Sequence, residues 1–192
     1  MHKTFLLLTS LLAAAPVAAQ ARPEPVVLKA EVHASQAEVW KALTTAEGVH
    51  SFFSDQARVE PKIGGAYEMY FLPNNPVGLR GGEGVHILAM EAPSRFFISW
   101  NAPPTYPDYR NQQTVVEFEL ESVAPNRTLV TLTHAGWGKA AGWNDVRTYF
   151  ATAWKTILGR LQYRFDKGPI DWSRAPNGTA YFKAAPDTKG TG

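Results

Sequence analysis

Cysteine is absent from the 192-residue sequence. That excludes disulfides, thiolate nucleophiles, iron–sulfur clusters and cysteine zinc sites, and leaves stability to the apolar core. No sign of charge dominates: 19 Lys and Arg stand against 17 Asp and Glu, scattered along the chain. A nucleic-acid binder needs a basic stripe to displace counterions from phosphate, so no nucleic-acid partner is expected. After the first residues no apolar run is long enough to span a bilayer. No G-x-S-x-G pattern marks a nucleophile elbow. His33, His50, His86 and His134 show none of the spacings of zinc ligands, so no metal is expected. The glycine-rich run 78–84 lacks the Lys-Ser/Thr of a phosphate loop and falls between strands. Nothing calls for a cofactor.

What the sequence does have begins with an export signal. Lys3 supplies a positive start, residues 5–12 (FLLLTSLL) are apolar, and AAAPVAAQA offers cleavage after Ala19 or Ala21. Residues 1–21 therefore read as a signal peptide, too short in its apolar part to be a membrane anchor. The expected location is periplasmic or secreted, since one signal serves both. Residues 22–168 are one domain's worth of chain, and 169–192 read as a loosely ordered tail in which Trp172 and Tyr181–Phe182 are docking points. Aromatic residues make up 12% of the sequence, with six Trp. They bury large areas, and they also line ligand pockets.

Hydrophobic periodicity divides the domain. Residues 26–34 form a strand. Ser35 and Glu38 have capping-box spacing, which starts a short helix over 36–44, and a second helical turn follows before Phe52 and Phe53. Strands are expected at 57–61, 65–72, 84–91, 95–101, 114–123 and 127–134, with loops at 73–82 and 102–113. The second loop (APPTYPDYRNQQ) is too rich in proline for a strand. From 143 to 166 apolar residues recur at three and four, giving one long amphipathic helix that Gly168–Pro169 ends. Strands clustered together and helices set apart define an α+β fold, in which the long helix buries its stripe on the inner face of the sheet.

The segments VHASQAEVWKALTTAEGVHSFF, VEPKIGGAYEMYF, ILAMEAPSRFFISW, VTLTHAGWG and YFATAWKTILGRL, in that order, carry a resemblance over residues 26–167. The chain resembles the SRPBCC superfamily (START-like, helix-grip), and within it the group of the activator of heat-shock protein 90 ATPase homologues. The resemblance implies a curved antiparallel sheet of six or seven strands around a long C-terminal helix, with two short helices after the first strand. It also implies an apolar cavity for a small molecule or lipid, on a fold that hosts cyclases, hydrolases and dehydratases as well. The co-chaperone role of the namesake relies on a second domain and a cytosolic partner, and names no protein partner for this chain.

Alternation along each strand gives the inward set. It places Tyr67, Met69, His86, Phe96, Trp100, Phe118 and His134 on the sheet side of a ligand site, closed from the helix side by Tyr149, Phe150, Ala153 and Trp154. Mostly apolar walls with a few polar groups suit a small-molecule pocket, and the same residues suit a solid core. His134 is the leading candidate general base, His86 a weaker one whose face is open, and Tyr67 a further acid–base candidate, but sequence shows no orienting partner for His134. The residues favour a binding protein for a hydrophobic or aromatic molecule or a lipid. The alternatives are an enzyme using the same cavity, of cyclase, isomerase or hydrolase type, or a chaperone-like interaction module.

Overall fold

A computed structural model describes residues 21–174. Residues 1–20 of the expected signal peptide, and Tyr181–Phe182, lie outside the described residues.

The chain opens with β1 (Val26–Val32), which buries Val26, Ala30 and Val32. Ser35 starts α1 (Gln36–Thr44) with a full capping box: the Glu38 N–H donates to Ser35 Oγ, and the Ser35 N–H donates to the Glu38 carboxylate at 3.0 Å. Two orphan donors of the first turn are thereby satisfied. Thr45 caps α2 (Ala46–His50) through its hydroxyl, which accepts from the Gly48 N–H at 3.0 Å. Strands β2 (Ala57–Val59), β3 (Tyr67–Met69), β4 (Ile87–Glu91), β5 (Arg95–Trp100), β6 (Thr114–Ala124) and β7 (Arg127–Ala135) follow, and then α3 (Trp143–Lys167).

Five strands form one antiparallel sheet in the order β1-β7-β6-β5-β4. β2 and β3 form a two-stranded ribbon. The ribbon meets the larger sheet through backbone bonds on either side of Ala66: the Tyr67 N–H donates to Val85 O and the Ile87 N–H to Gly65 O, both at 2.9 Å. The architecture is the α+β helix-grip arrangement expected. β3 and β4 are shorter than their sequence runs, because residues 66 and 82–86 make only isolated bridges there.

The inward sets of β3, β5, β6 and β7 lie as alternation predicts, with Tyr67, Met69, Phe96, Ile98, Phe118, Leu132 and His134 all fully buried. β4 is the exception. Val85 and Ile87 point inward, whereas His86 is exposed and Leu88 is 45% exposed. His86 therefore does not belong to the inner lining. Both faces of this run are apolar, so alternation carried no information, and the β4–β5 register slips between Ile87 and Ala89.

α3 lays Val146, Phe150, Trp154, Ile157, Leu158 and Leu161 into the core. Its Trp154 ring reaches Trp100 of β5 (5.1 Å between ring centres) and Phe118 of β6 (6.2 Å), so the helix covers the inner sheet face. Beyond Gly168 the chain turns back onto α2: the Ile170 N–H donates to Ser51 O at 2.8 Å, and Trp172 Nε1–H donates to His50 O at 2.6 Å. Among the described residues no helix is long and apolar enough to cross a membrane.

Candidate functional site in the aromatic interior

The inner face of the sheet is a sequence of rings in contact. Phe96 and Phe118, cross-strand partners on β5 and β6, stack at 4.9 Å with 7° between planes. Phe53, just after α2, packs against Tyr67, Trp100 and Trp154 at 6.0–6.4 Å. Edge-on and offset contacts of this kind add to the area they bury. At the centre the rings are in contact with one another.

His134 sits in the middle of this layer, fully buried, between the rings of Trp137 (4.1 Å) and Phe150 (4.7 Å). Its hydrogen bonds fix its tautomer. An indole N–H only donates, so Trp154 Nε1–H, 2.8 Å away, requires an unprotonated Nδ1 on His134. The proton is then on Nε2, which donates to Thr114 Oγ1 at 2.7 Å, and the Thr114 hydroxyl donates in turn to Trp100 O at 3.0 Å. The chain Trp154 → His134 → Thr114 → Trp100 crosses from helix to sheet with every polar atom engaged. Burial pushes the imidazole pKa down to about 3. His134 is thus a neutral structural bridge, and both of its nitrogens are committed. Tyr67 is committed as well: its hydroxyl donates to Leu43 O at 2.7 Å, tying β3 to α1, and burial raises its pKa far above the ordinary value. The two residues the sequence offers for acid–base chemistry are spent on the fold.

The end of the interior beyond His134 is different. Trp137 and Trp143 are 2% and 1% exposed, their ring centres 6.0 Å apart, and among the described residues neither Nε1–H has a hydrogen-bond partner. Gly138 and Gly142 make this corner possible. A Cβ on Gly138 would lie 2.2 Å from Trp143 Nε1, and one on Gly142 would lie 2.1 Å from the Tyr109 hydroxyl. The 102–113 loop roofs the corner: Tyr109 stands edge-on to Trp143 at 5.1 Å, and Tyr106 edge-on to Tyr149 at 6.1 Å. Tyr149 is 42% exposed, so it belongs to the rim of the interior rather than to its wall.

The loop is held from the other side by Arg110. Its guanidinium donates to Gly78 O, Gly81 O and Ala102 O, joining the 102–113 loop to the glycine-rich run. Burial lowers the Arg110 pKa, and the nearby Glu83 charge opposes that. Beside it lies an open polar depression of about 520 Å³ lined by Glu68, Arg80, Glu83, Asn101, Arg110 and Gln113. Its charges are compensated internally: Glu83 accepts from the Arg80 backbone N–H at 2.7 Å and from its guanidinium, while Glu68 accepts from the Gly84 N–H and the Tyr70 hydroxyl. Burial would raise the Glu83 pKa, but these bonds outweigh it and hold it below the usual range. The depression is a knot that shapes two loops.

Of the residues chosen from sequence, Tyr67, Met69, Phe96, Trp100, Phe118, His134, Phe150 and Trp154 meet in one layer. Phe53, Trp137, Trp143 and Arg110 were missed. Trp137 lies inside the THAGWG segment, where glycines on both sides of a tryptophan already signalled close approach; the others have no signal short of the tertiary contacts. Among the described residues no group of His, Asp or Glu could hold a metal ion.

An antiparallel sheet that grips one long C-terminal helix, with two short helices after the first strand, defines the START-like helix-grip class. The profile of one family within it, described as Activator of Hsp90 ATPase homolog 1-like protein, matches residues 33–166, and the chain belongs to that family. Among solved structures, the chain is similar to protein MLL2253 from Mesorhizobium loti, at 16% identity over 77% of this chain and 100% of that one, with a TM-score of 0.59. CalU16 from Micromonospora echinospora shares 21% identity over 80% of this chain and 81% of its own, with a TM-score of 0.56. The Aha1 protein from Colwellia psychrerythraea, solved as a dimer, shares 19% identity over 76% and 98%, with a TM-score of 0.55. At these identities the likeness is one of fold. No curated protein sequence matches the chain significantly.

Proposed function

We propose that this is an exported, non-catalytic binding protein for a small hydrophobic or aromatic molecule, held at the Trp137–Trp143 end of the interior. One observation carries the reading: two adjacent, fully buried indoles present Nε1–H donors that no group among the described residues accepts. A buried donor without a partner costs about 1–3 kcal/mol. An apolar ligand bearing a carbonyl or ether oxygen would recover that cost and would find aromatic walls around it. The 102–113 loop, held at its far side by Arg110, supplies the roof that must lift for entry. Binding is favoured over catalysis because His134 and Tyr67 are already committed. The signal-like residues 1–21 support export, to the periplasm or beyond it.

The test is native mass spectrometry of the protein purified from its own export compartment, followed by denaturing extraction. A single co-purifying apolar molecule, lost in Trp143→Glu, is the expected result. An empty protein that also binds none of a panel of lipids and aromatic ketones would overturn the proposal.

A further inference from the structure

The other end of α3 holds a different anomaly. Arg160 is 5% exposed, and among the described residues no carboxylate stands within ion-pair distance of it. Its one hydrogen bond is long: Nη1 donates to Phe53 O at 3.4 Å. Its guanidinium otherwise faces the ring of Trp172, 5.5 Å from the ring centre. Other arginines show what this chain ordinarily does with the charge. Arg58, Arg80, Arg95 and Arg127 each sit on a glutamate while remaining far more exposed. Arg110, which has no carboxylate contact, fills its donors with three backbone carbonyls. Arg160 is more buried than any of these and has the poorest set of partners.

A buried cation without a counter-charge is costly, and buried arginines are rare unless paired. Burial alone depresses the Arg160 pKa, with no neighbouring negative group to offset it. A second cation points the same way. Arg164, one turn further along α3, donates through Nε to Ser51 Oγ at 3.1 Å. The corner is roofed by the returning segment 168–174, which is attached by the Ile170 N–H to Ser51 O and by Trp172 Nε1–H to His50 O. The Arg164 guanidinium itself lies over the Phe165 ring, 4.3 Å from its centre, and its charge helps hold the Glu38 pKa down. Planar, forked donors one helical turn apart suit a carboxylate or phosphate.

We infer that Arg160, with Arg164 beside it and Trp172 above it, forms a binding site for the oxyanion group of a small molecule. The site is separate from the indole pair: Trp143 and Arg160 are 17 positions apart on α3, about 25 Å along the axis. Either can fail without the other.

The experiment is calorimetric titration of the full chain, at constant ionic strength in chloride, with inorganic phosphate, octanoate and octanol as probes. Saturable one-to-one binding of phosphate or octanoate is expected, weakened at least about tenfold in Arg160→Met and unchanged in the surface control Arg127→Met. Arg160→Met without ligand should be as stable as the wild type or more so, because it removes an uncompensated buried charge. Preference for octanoate over both phosphate and octanol assigns the site to an apolar acid; phosphate binding alone assigns it to a free or esterified phosphate. If Arg160→Met does not fold, Arg164→Gln carries the test, with at least about threefold weaker binding expected. The inference is overturned if neither anion binds saturably to the wild type, or if the folded variant binds both as the wild type does.

Discussion

Trp154 and Trp143 lie on the same helix, eleven residues apart, equally buried at 1% exposure. The indole N–H of Trp154 is met by His134, and through it by Thr114 and the β5 backbone. Among the described residues nothing accepts the indole N–H of Trp143, nor that of Trp137 beside it. The contrast separates two uses of the same side chain. At His134 a closed polar chain pins the helix to the sheet and specifies one register between them. At Trp137 and Trp143 polar capacity is left over in a buried, aromatic corner. Arg160 repeats the second pattern with a full charge. Leftover polar groups are where a fold departs from its own consistency, and such departures are expected at functional positions.

The largest effect should come from breaking the closed chain. His134→Ala removes a fully buried ring and strands both Trp154 Nε1–H and Thr114 Oγ1, so about 3–5 kcal/mol of stability should be lost in urea denaturation. Acid should act on the same point. The unfolded chain takes up the His134 proton at its ordinary pKa of 6.5, the folded chain only near 3. The unfolded state therefore binds more protons across that window. The histidine costs nothing above pH 6.5, and stability falls as pH drops from there toward 3. The slope should approach about 1.4 kcal/mol per pH unit, reaching about 3 kcal/mol by pH 4. Comparing His134→Ala with the wild type isolates this dependence, because the variant should lose it.

The paired substitutions Trp154→Phe and Trp143→Phe sharpen the comparison. Both lose similar packing, but only the first leaves a buried acceptor, His134 Nδ1, without its donor. Trp154→Phe should therefore be the more destabilising by about 1–2 kcal/mol. Tyr67→Phe should show the smallest effect. It removes one hydroxyl from Leu43 O and should cost about 1 kcal/mol, with no change in pH dependence below neutrality.

How much of this could be read beforehand differs sharply between the two regions. α1 was legible to the residue, because Ser35 and Glu38 form a local capping box that no tertiary contact needs to complete. β6 and β7 were legible on both faces, because Glu117, Glu119 and Thr131 alternate with Val116, Phe118 and Leu132. β4 was not, since Leu88 is as apolar as Ile87 and a slip in register decides which one is buried. The site follows the same division. His134 was found from strand alternation, but its partners Trp154 and Thr114 are each 20 residues away, so its structural role was invisible. Arg160 looked like an ordinary helix arginine. The return of the chain brings Trp172 over it, a contact no periodicity encodes. Residues whose surroundings are set by neighbours in sequence were readable. Residues whose surroundings are set by a loop or a returning end were not.

The most direct test of the contrast is a set of indole ¹H–¹⁵N spectra of the full chain during titration with benzophenone, and in parallel with diphenylmethane, which has a similar shape but no carbonyl. The account predicts saturable binding of benzophenone, tighter than that of diphenylmethane. The Trp137 and Trp143 indole resonances should move downfield while Trp154 stays in place on His134. Equal binding of both probes, or a shift at Trp154 with Trp137 and Trp143 unmoved, would contradict it.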